Sequence, residues 1–273
     1  MSKIPAKVLD RLTSSLRRFQ PVLSAARSRD AGEADTCTVV RDMLCDVFGY
    51  DKYTEITSEY AIKSTYCDLA IKLEGKLQLL IEVKAIGLDL KDNHVRQAVD
   101  YAANQGIEWV VLTNGAVWRI YRIFFAQPIS QDLVFESDLL SLNPKNKTDV
   151  GNLFLLAKEG QNKSVLDEYH ARRQAMSRYF LGALVLSDPV VEVIRRELRR
   201  VSPGLRIDVA ELRDALSNDV LKREVAEGEK ADEARKKINR AQSKAQRSRT
   251  KGDDSGVSEE AAPVGSDGPT MQV

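Results

Sequence analysis

The segment Leu77–Lys84, LQLLIEVK, constrains this chain most. It is a strand-length apolar run that ends by placing an acid and a lysine two residues apart. Residues i and i+2 of a strand share a face, so Glu82 and Lys84 project together while Ile81, Val83 and Ala85 project into the opposite layer. Just before it, residues 66–73 alternate, with Cys67, Leu69, Ile71 and Leu73 on one face and Tyr66, Asp68, Ala70 and Lys72 on the other. The short turn Glu74-Gly75-Lys76 joins the two runs as a hairpin. Asp68 is thereby carried beside Glu82 and Lys84. Charged side chains rarely interrupt buried strands unless they are paired or hold a metal. A salt bridge on a sheet face is the plain alternative.

The rest of the first half supplies a setting for this hairpin. Residues 6–28 predict a basic amphipathic helix, bent or broken near Pro21, with Val8, Leu12 and Leu16 toward the core and a DNA contact as the alternative use. Residues 33–48 predict a second helix, with Val40, Met43, Leu44, Val47 and Phe48 on one face and Gly49 as its stop. Residues 53–60 alternate weakly. Residues 91–105 read as a helix closed by Gly106. Residues 108–113 and 117–124 read as strands around Asn114-Gly115, the strongest short hairpin signal, and residues 133–136 as a short edge strand. Trp109 and Trp118, which flank that turn, read as cross-strand packing.

These elements predict an α/β fold with a central mixed sheet of four or five strands flanked by helices. Beyond residue 150 the pattern turns helical, over 150–158, 164–182, 188–200 and 208–226, with Asp188-Pro189 as a helix start and Ser202-Pro203-Gly204 as a break. The expected organisation is an N-terminal basic helix at 1–30, an α/β domain at 31–145, a helical region at 146–228 and a tail at 229–273. Residues 235–251 of that tail hold eight Lys or Arg and no acid. They read as a disordered or partly helical arm, either a solvated linker or a phosphate-binding arm that uses Arg235, Lys236, Lys237 and Arg240. Such an arm binds more weakly as salt rises. Residues 252–273, polar and acidic, read as disordered.

Composition excludes several classes. The three cysteines, Cys37, Cys45 and Cys67, are odd in number and form no C-x-x-C pair, which argues against a disulfide framework or a structural zinc site and for a reducing cytoplasm. No stretch approaches the ~20 apolar residues of a membrane span. The net charge of +1 says nothing by itself about nucleic acid. His94 and His170 are lone histidines that read as surface or satisfied residues.

Chemically, Asp68 and Glu82 offer hard oxygen ligands for Mg²⁺, or for Mn²⁺ in its place. Lys84 can orient or deprotonate an attacking water, or stabilise charge developing on a phosphate. Gln97 and Tyr101, spaced i and i+4, share a helix face. Gln97 can orient the lysine, the water or a phosphate oxygen; Tyr101 can bond a phosphate or support the fold. Glu33, at the start of a helix, can serve as an outer carboxylate of the metal.

Residues 33–121 resemble the N-terminal nuclease domain of type I restriction-enzyme R subunits, through EADTCTVVRDMLCDVFGYD, YCDLAI, LLIEVKA, VRQAVDYAANQGIEWVVLTNG and VWRIY. The resemblance implies the PD-(D/E)xK restriction-endonuclease core and Mg²⁺-dependent DNA cleavage in restriction or defence. It matches Asp68 to the motif aspartate, Glu82 and Lys84 to the E-x-K pair, Gln97 and Tyr101 to the Q-x-x-x-Y element, and Glu33 to the acid of the first helix. Cys67 stands where the motif has proline. No G-x-x-x-x-G-K-[ST] loop is present, so this chain has no ATP site and no motor. A catalytically weak or inactive DNA-binding or accessory subunit is the alternative, and other restriction or defence subunits are the expected partners beside DNA.

Overall fold

The computed structural model describes residues 3–62 and 65–253, and the chain divides into two compact units, 1–171 and 172–273. In the first unit the order is α1 (Ala6–Ser28), α2 (Glu33–Asp46), β1 (Ile56–Ile62), β2 (Thr65–Leu73), β3 (Lys76–Val83), α3 (Arg96–Gln105), β4 (Trp109–Thr113), β5 (Val117–Phe124), β6 (Ser130–Asp138), α4 (Lys147–Asn152), α5 (Lys158–Gln161) and α6 (Val165–Ala175), whose last turn crosses the division. The strands form one six-stranded sheet in sequence order. The expected count of four or five strands falls short because β6 pairs along the whole of β5, from Val117↔Asp138 to Phe124↔Ser130.

Only β3 and β4 are parallel; the other neighbours are antiparallel. Tight turns connect antiparallel strands, whereas a parallel pair needs a crossover. That crossover is α3, preceded by a single 3-10 turn at Asp92–Val95. It packs Val95, Ala98, Val99, Tyr101 and Ala102 with Leu80, Val110 and Leu112 on one face of the sheet. On the other face α1, α2 and the turn that follows α2 bury Leu12, Leu16, Leu23, Val40, Met43 and Phe48 against Leu69, Ile71, Leu79, Ile81 and Trp118. The sheet is thus sandwiched between helices.

Helix α1 runs unbroken through Pro21. The proline lies on the exposed side of the helix, where a carbonyl freed by its ring is open to solvent rather than buried. Six apolar side chains of α1 enter the core, and Gln20 Nε2 donates to Leu139 O and Leu142 O at 2.8 Å each. Residues 3–30 therefore belong to the α/β unit. So do residues 146–171, through the buried run Leu153–Ala157 with Val165 and Leu166.

Cys67 is placed differently from the alternation. It clusters with Ala70 and Leu80 on the α3 side, not with Leu69 and Ile71. The β2–β3 ladder begins only at Leu69↔Ile81, and the β1–β2 pairing, which includes Tyr60↔Cys67, skips Asp68, so the alternation is interrupted between Cys67 and Leu69.

The second unit holds α7 (Arg178–Val185), α8 (Asp188–Val201), α9 (Val209–Ala215), α10 (Arg223–Ala226) and α11 (Glu229–Asp253). The expected helix at 164–182 is interrupted because Ser177 caps α7, its hydroxyl accepting from Phe180 N at 3.2 Å. The expected helix at 208–226 breaks after a π-turn, with Leu221 extended. The basic arm is helical over Glu229–Asp253, because Ala234 and Ile238 bury against Tyr179, Phe180 and Ala183 of α7, with Ala231 buried on the same face of the helix. The remaining acidic stretch, 254–273, lies outside the described residues. Among the described residues no helix is long and apolar enough to cross a membrane.

Candidate active site

The site lies at the end of the parallel β3–β4 pair. Past Leu69↔Ile81, Asp68 takes over from the missing ladder contact: its Oδ2 accepts the Val83 N–H at 2.7 Å. Glu82 is opposite Leu112 in the parallel register and shares the α3-facing side of the strand with Leu80. Only 6 % of Glu82 is exposed. Lys84 follows the last residue of β3, and its backbone N–H continues the parallel ladder to Thr113 O at 2.8 Å.

The three expected core residues meet here. Lys84 Nζ donates to Glu82 Oε1 at 2.8 Å and reaches Glu33 Oε2 at 3.5 Å. Glu33 is the first residue of α2, where an acid suits the positive end of the helix, and its side chain is about half exposed. Burial raises the Glu82 carboxyl above its ordinary range. The Lys84 bond opposes that rise, and the nearby charges of Asp68 and Glu33 add to it. Burial works against the Lys84 ammonium, yet Glu82, Glu33 and Asp68 together hold its pKa above the ordinary lysine value. The second oxygen, Glu82 Oε2, is buried and has no hydrogen-bond partner among the described residues.

That orphaned oxygen bears on a metal. A buried carboxylate oxygen is ordinarily satisfied, and leaving it bare is costly. Among the described residues no three His, Cys, Asp or Glu side chains form a group able to hold a metal ion, so Asp68, Glu82 and Glu33 are not a preformed cage. Mg²⁺ commonly uses one or two protein carboxylates and completes its shell with water and substrate phosphate. Glu82 Oε2 beside Asp68 fits that smaller donor set.

Gln97 and Tyr101 are joined to each other: Gln97 Nε2 donates to Tyr101 Oη at 2.6 Å. The Tyr101 ring is 6 % exposed within the α3 layer, which suits support of Gln97 rather than a contact with DNA. Gln97 is on the exposed side of α3. Arg235, Lys236, Lys237 and Arg240 lie on the exposed face of α11, in the second unit. Arg235 is engaged locally, with Asp232 at 2.7 Å and Ala226 O at 3.1 Å. The two histidines are satisfied: His94 Nδ1 accepts from Lys91 N at 3.2 Å, and His170 lies against the rings of Trp109 and Phe124.

Sequence reasoning missed the residues that fix the segment after Lys84. Thr36 Oγ1 accepts the Ile86 N–H at 3.1 Å, which fastens α2, and with it Glu33, to that segment. Asn114 Nδ2 donates to Ile86 O at 3.3 Å and Leu88 O at 3.0 Å, while its Oδ1 accepts from Val117 N at 2.7 Å. Arg119 Nη1 donates to Leu90 O at 2.8 Å. Asn114 was visible only as half of a turn signal.

Residues 39–127 match the family described as Type I restriction enzyme R protein N terminus (HSDR_N). The match supports an R-protein N-terminal domain over this stretch, about a third of the chain. It contains Asp68, Glu82, Lys84, Gln97 and Tyr101 and leaves Glu33 just outside. The R-protein N-terminal domain links the chain to restriction and defence. No curated protein and no solved structure matches the chain.

Proposed function

We propose that this protein is a Mg²⁺-dependent nuclease of the PD-(D/E)xK kind that hydrolyses DNA phosphodiester bonds in restriction or defence against foreign DNA. The observation that carries the proposal is Glu82: a buried carboxylate with one oxygen on Lys84 and the other without a partner among the described residues, beside Asp68. A purely structural ion pair at this depth favours satisfaction of both oxygens, because each desolvated charge must be compensated.

Asp68 and Glu82 would hold the ion, with Glu33 as an outer carboxylate and Mn²⁺ as a substitute for Mg²⁺. When bound there, such an ion would polarise the scissile phosphate. Lys84, held by Glu82 and Glu33, presents its remaining ammonium proton to the attacking water or to a phosphate oxygen, where charge develops. Gln97, fixed by Tyr101, orients the water or a non-bridging oxygen from the exposed side of α3. The exposed Lys236, Lys237 and Arg240 of α11, with Arg235, supply sequence-independent attraction for the DNA backbone. Other restriction subunits are the proposed protein partners.

The test is cleavage of linear, supercoiled and single-stranded DNA with Mg²⁺, with Mn²⁺ and with EDTA, comparing the wild-type chain with Lys84→Ala. Metal-dependent cutting that Lys84→Ala abolishes supports the proposal. DNA binding with no cutting of any substrate identifies an accessory DNA-binding subunit instead.

A further inference from the structure

The near-neutral charge of the whole chain conceals a marked asymmetry. Residues 172–251 carry 20 Lys or Arg against 12 Asp or Glu. From 172 to 213 every basic residue is arginine, nine in all. Four of these, Arg195, Arg196, Arg199 and Arg200, are on α8. At 100° per residue they occupy one side of the helix, away from the Val191, Ile194 and Leu198 edge that packs with Leu212 and Leu216.

Little neutralises this stripe. Glu192 pairs with Arg195 at 2.7 Å, and the single carboxylate of Glu197 serves both Arg200 at 2.8 Å and Arg196 at 3.7 Å. Arg199 is exposed and forms no ion pair among the described residues. Asp188, the remaining acid of the helix, is held by Arg213. Arg196 and Arg200 are 69 % and 73 % exposed, so their pairs are worth little and exchange readily for another anion. Guanidinium groups fit phosphate through paired N–H donors, which suits them to a repeating phosphate backbone better than to scattered anions.

We infer that this arginine face of α8 is a contact for the phosphate backbone of duplex DNA, separate from the basic residues of α11. The choice of DNA as the polyanion rests on the nuclease reading. The face reads charge and spacing, not bases, and so serves to retain DNA regardless of sequence.

The experiment measures binding of the full-length chain to a short duplex of random sequence, in EDTA, by fluorescence anisotropy over a range of salt. Arg196→Ala/Arg199→Ala is compared with Lys222→Ala/Arg223→Ala, which removes the same formal charge from the neighbourhood of α10. Circular dichroism checks that each variant is folded. Two lost phosphate contacts lower the magnitude of the slope of log affinity against log salt by about 1.8. Raising salt from 50 to 200 mM then costs the wild type about 12-fold more affinity than it costs the α8 variant. The α10 variant keeps the wild-type slope. Equal slopes in the wild type and the α8 variant, an equal change in the α10 variant, absence of wild-type binding, or tighter binding to duplex RNA than to duplex DNA overturns the inference. A chain that gives the expected slopes but never cuts under Mg²⁺ sinks the nuclease reading alone. One that cuts while its slopes stay unchanged sinks the α8 inference alone.

Discussion

Arg11 joins three helices of the first unit and offers a calculable perturbation. From α1 its guanidinium donates to Val47 O at 3.1 Å and Phe48 O at 3.3 Å, beyond the end of α2, and makes two 2.8 Å bonds to the oxygens of Glu159 on α5. Gly49 makes room for it: a Cβ there would meet the guanidinium carbon at 2.7 Å, and the backbone φ of 82° is strained for any other residue. Arg11→Met keeps the aliphatic stem and removes the head. Both partners are about one-third exposed, so the ion pair is worth about 1 kcal/mol. The carbonyl contacts, one of them long, add about 1 kcal/mol, for a loss of about 2 kcal/mol. Gly49→Ala costs about 1 kcal/mol of left-handed strain and also expels the guanidinium, about 3 kcal/mol in all. In the Arg11→Met background only the strain remains, so the double variant loses about 3 kcal/mol rather than 5, a coupling of about 2 kcal/mol. Urea denaturation followed by tryptophan fluorescence reads this directly, because both tryptophans, Trp109 and Trp118, are in the first unit. Losses that simply add would refute the reasoning. There is also a pH signature. The Arg11 hydrogen bond, the leading cause, holds the Glu159 carboxyl below its ordinary range. A lowered carboxyl pKa contributes stability above the unfolded value, about 4.3, and that contribution disappears as pH falls through the folded value. The gap between wild type and Arg11→Met therefore narrows below about pH 4. A gap unchanged in that acid range contradicts the assignment.

Two further predictions concern the surroundings of the site. Asn114→Ala removes three hydrogen bonds from a buried side chain, so it lowers stability by about 2–3 kcal/mol in thermal or urea melts and also reduces DNA cleavage, since the segment after Lys84 loses its anchor. Wild-type stability in this variant would show that the anchor is dispensable. Cys67 is 0 % exposed whereas Cys37 and Cys45 are half-buried, so a thiol reagent followed by mass spectrometry labels Cys37 and Cys45 first and Cys67 only as the unit unfolds. Equal labelling of all three in the folded chain would contradict the packing of β2.

The hairpins were legible because each is written locally. Asn114-Gly115 between apolar runs predicts β4 and β5, and Glu74-Gly75-Lys76 predicts the turn that sets Asp68 near Glu82 and Lys84. The i, i+2 spacing of Glu82 and Lys84 survives as a 2.8 Å bond, and the i, i+4 spacing of Gln97 and Tyr101 as a 2.6 Å bond. What stayed hidden depends on distant partners. Thr36 and Ile86 are 50 residues apart, and Asn114 and Ile86 are 28 apart. No periodicity announces such bonds. Cys67 escaped the alternation because neither the β1–β2 nor the β2–β3 ladder includes Asp68 beside it. The charges of α11 concealed its small apolar stripe, Ala231, Ala234 and Ile238, since alanine barely marks a face until a neighbouring helix covers it.

The most direct test of the central claim is single-turnover DNA cleavage under Mg²⁺ by the wild type and by Glu82→Gln, a substitution that keeps the shape of the side chain and removes its charge. Direct participation of the carboxylate predicts a rate lower by at least about 100-fold, with the fold and DNA binding retained. A variant that cuts at the wild-type rate would show that Glu82 and Lys84 form only a salt bridge of the sheet.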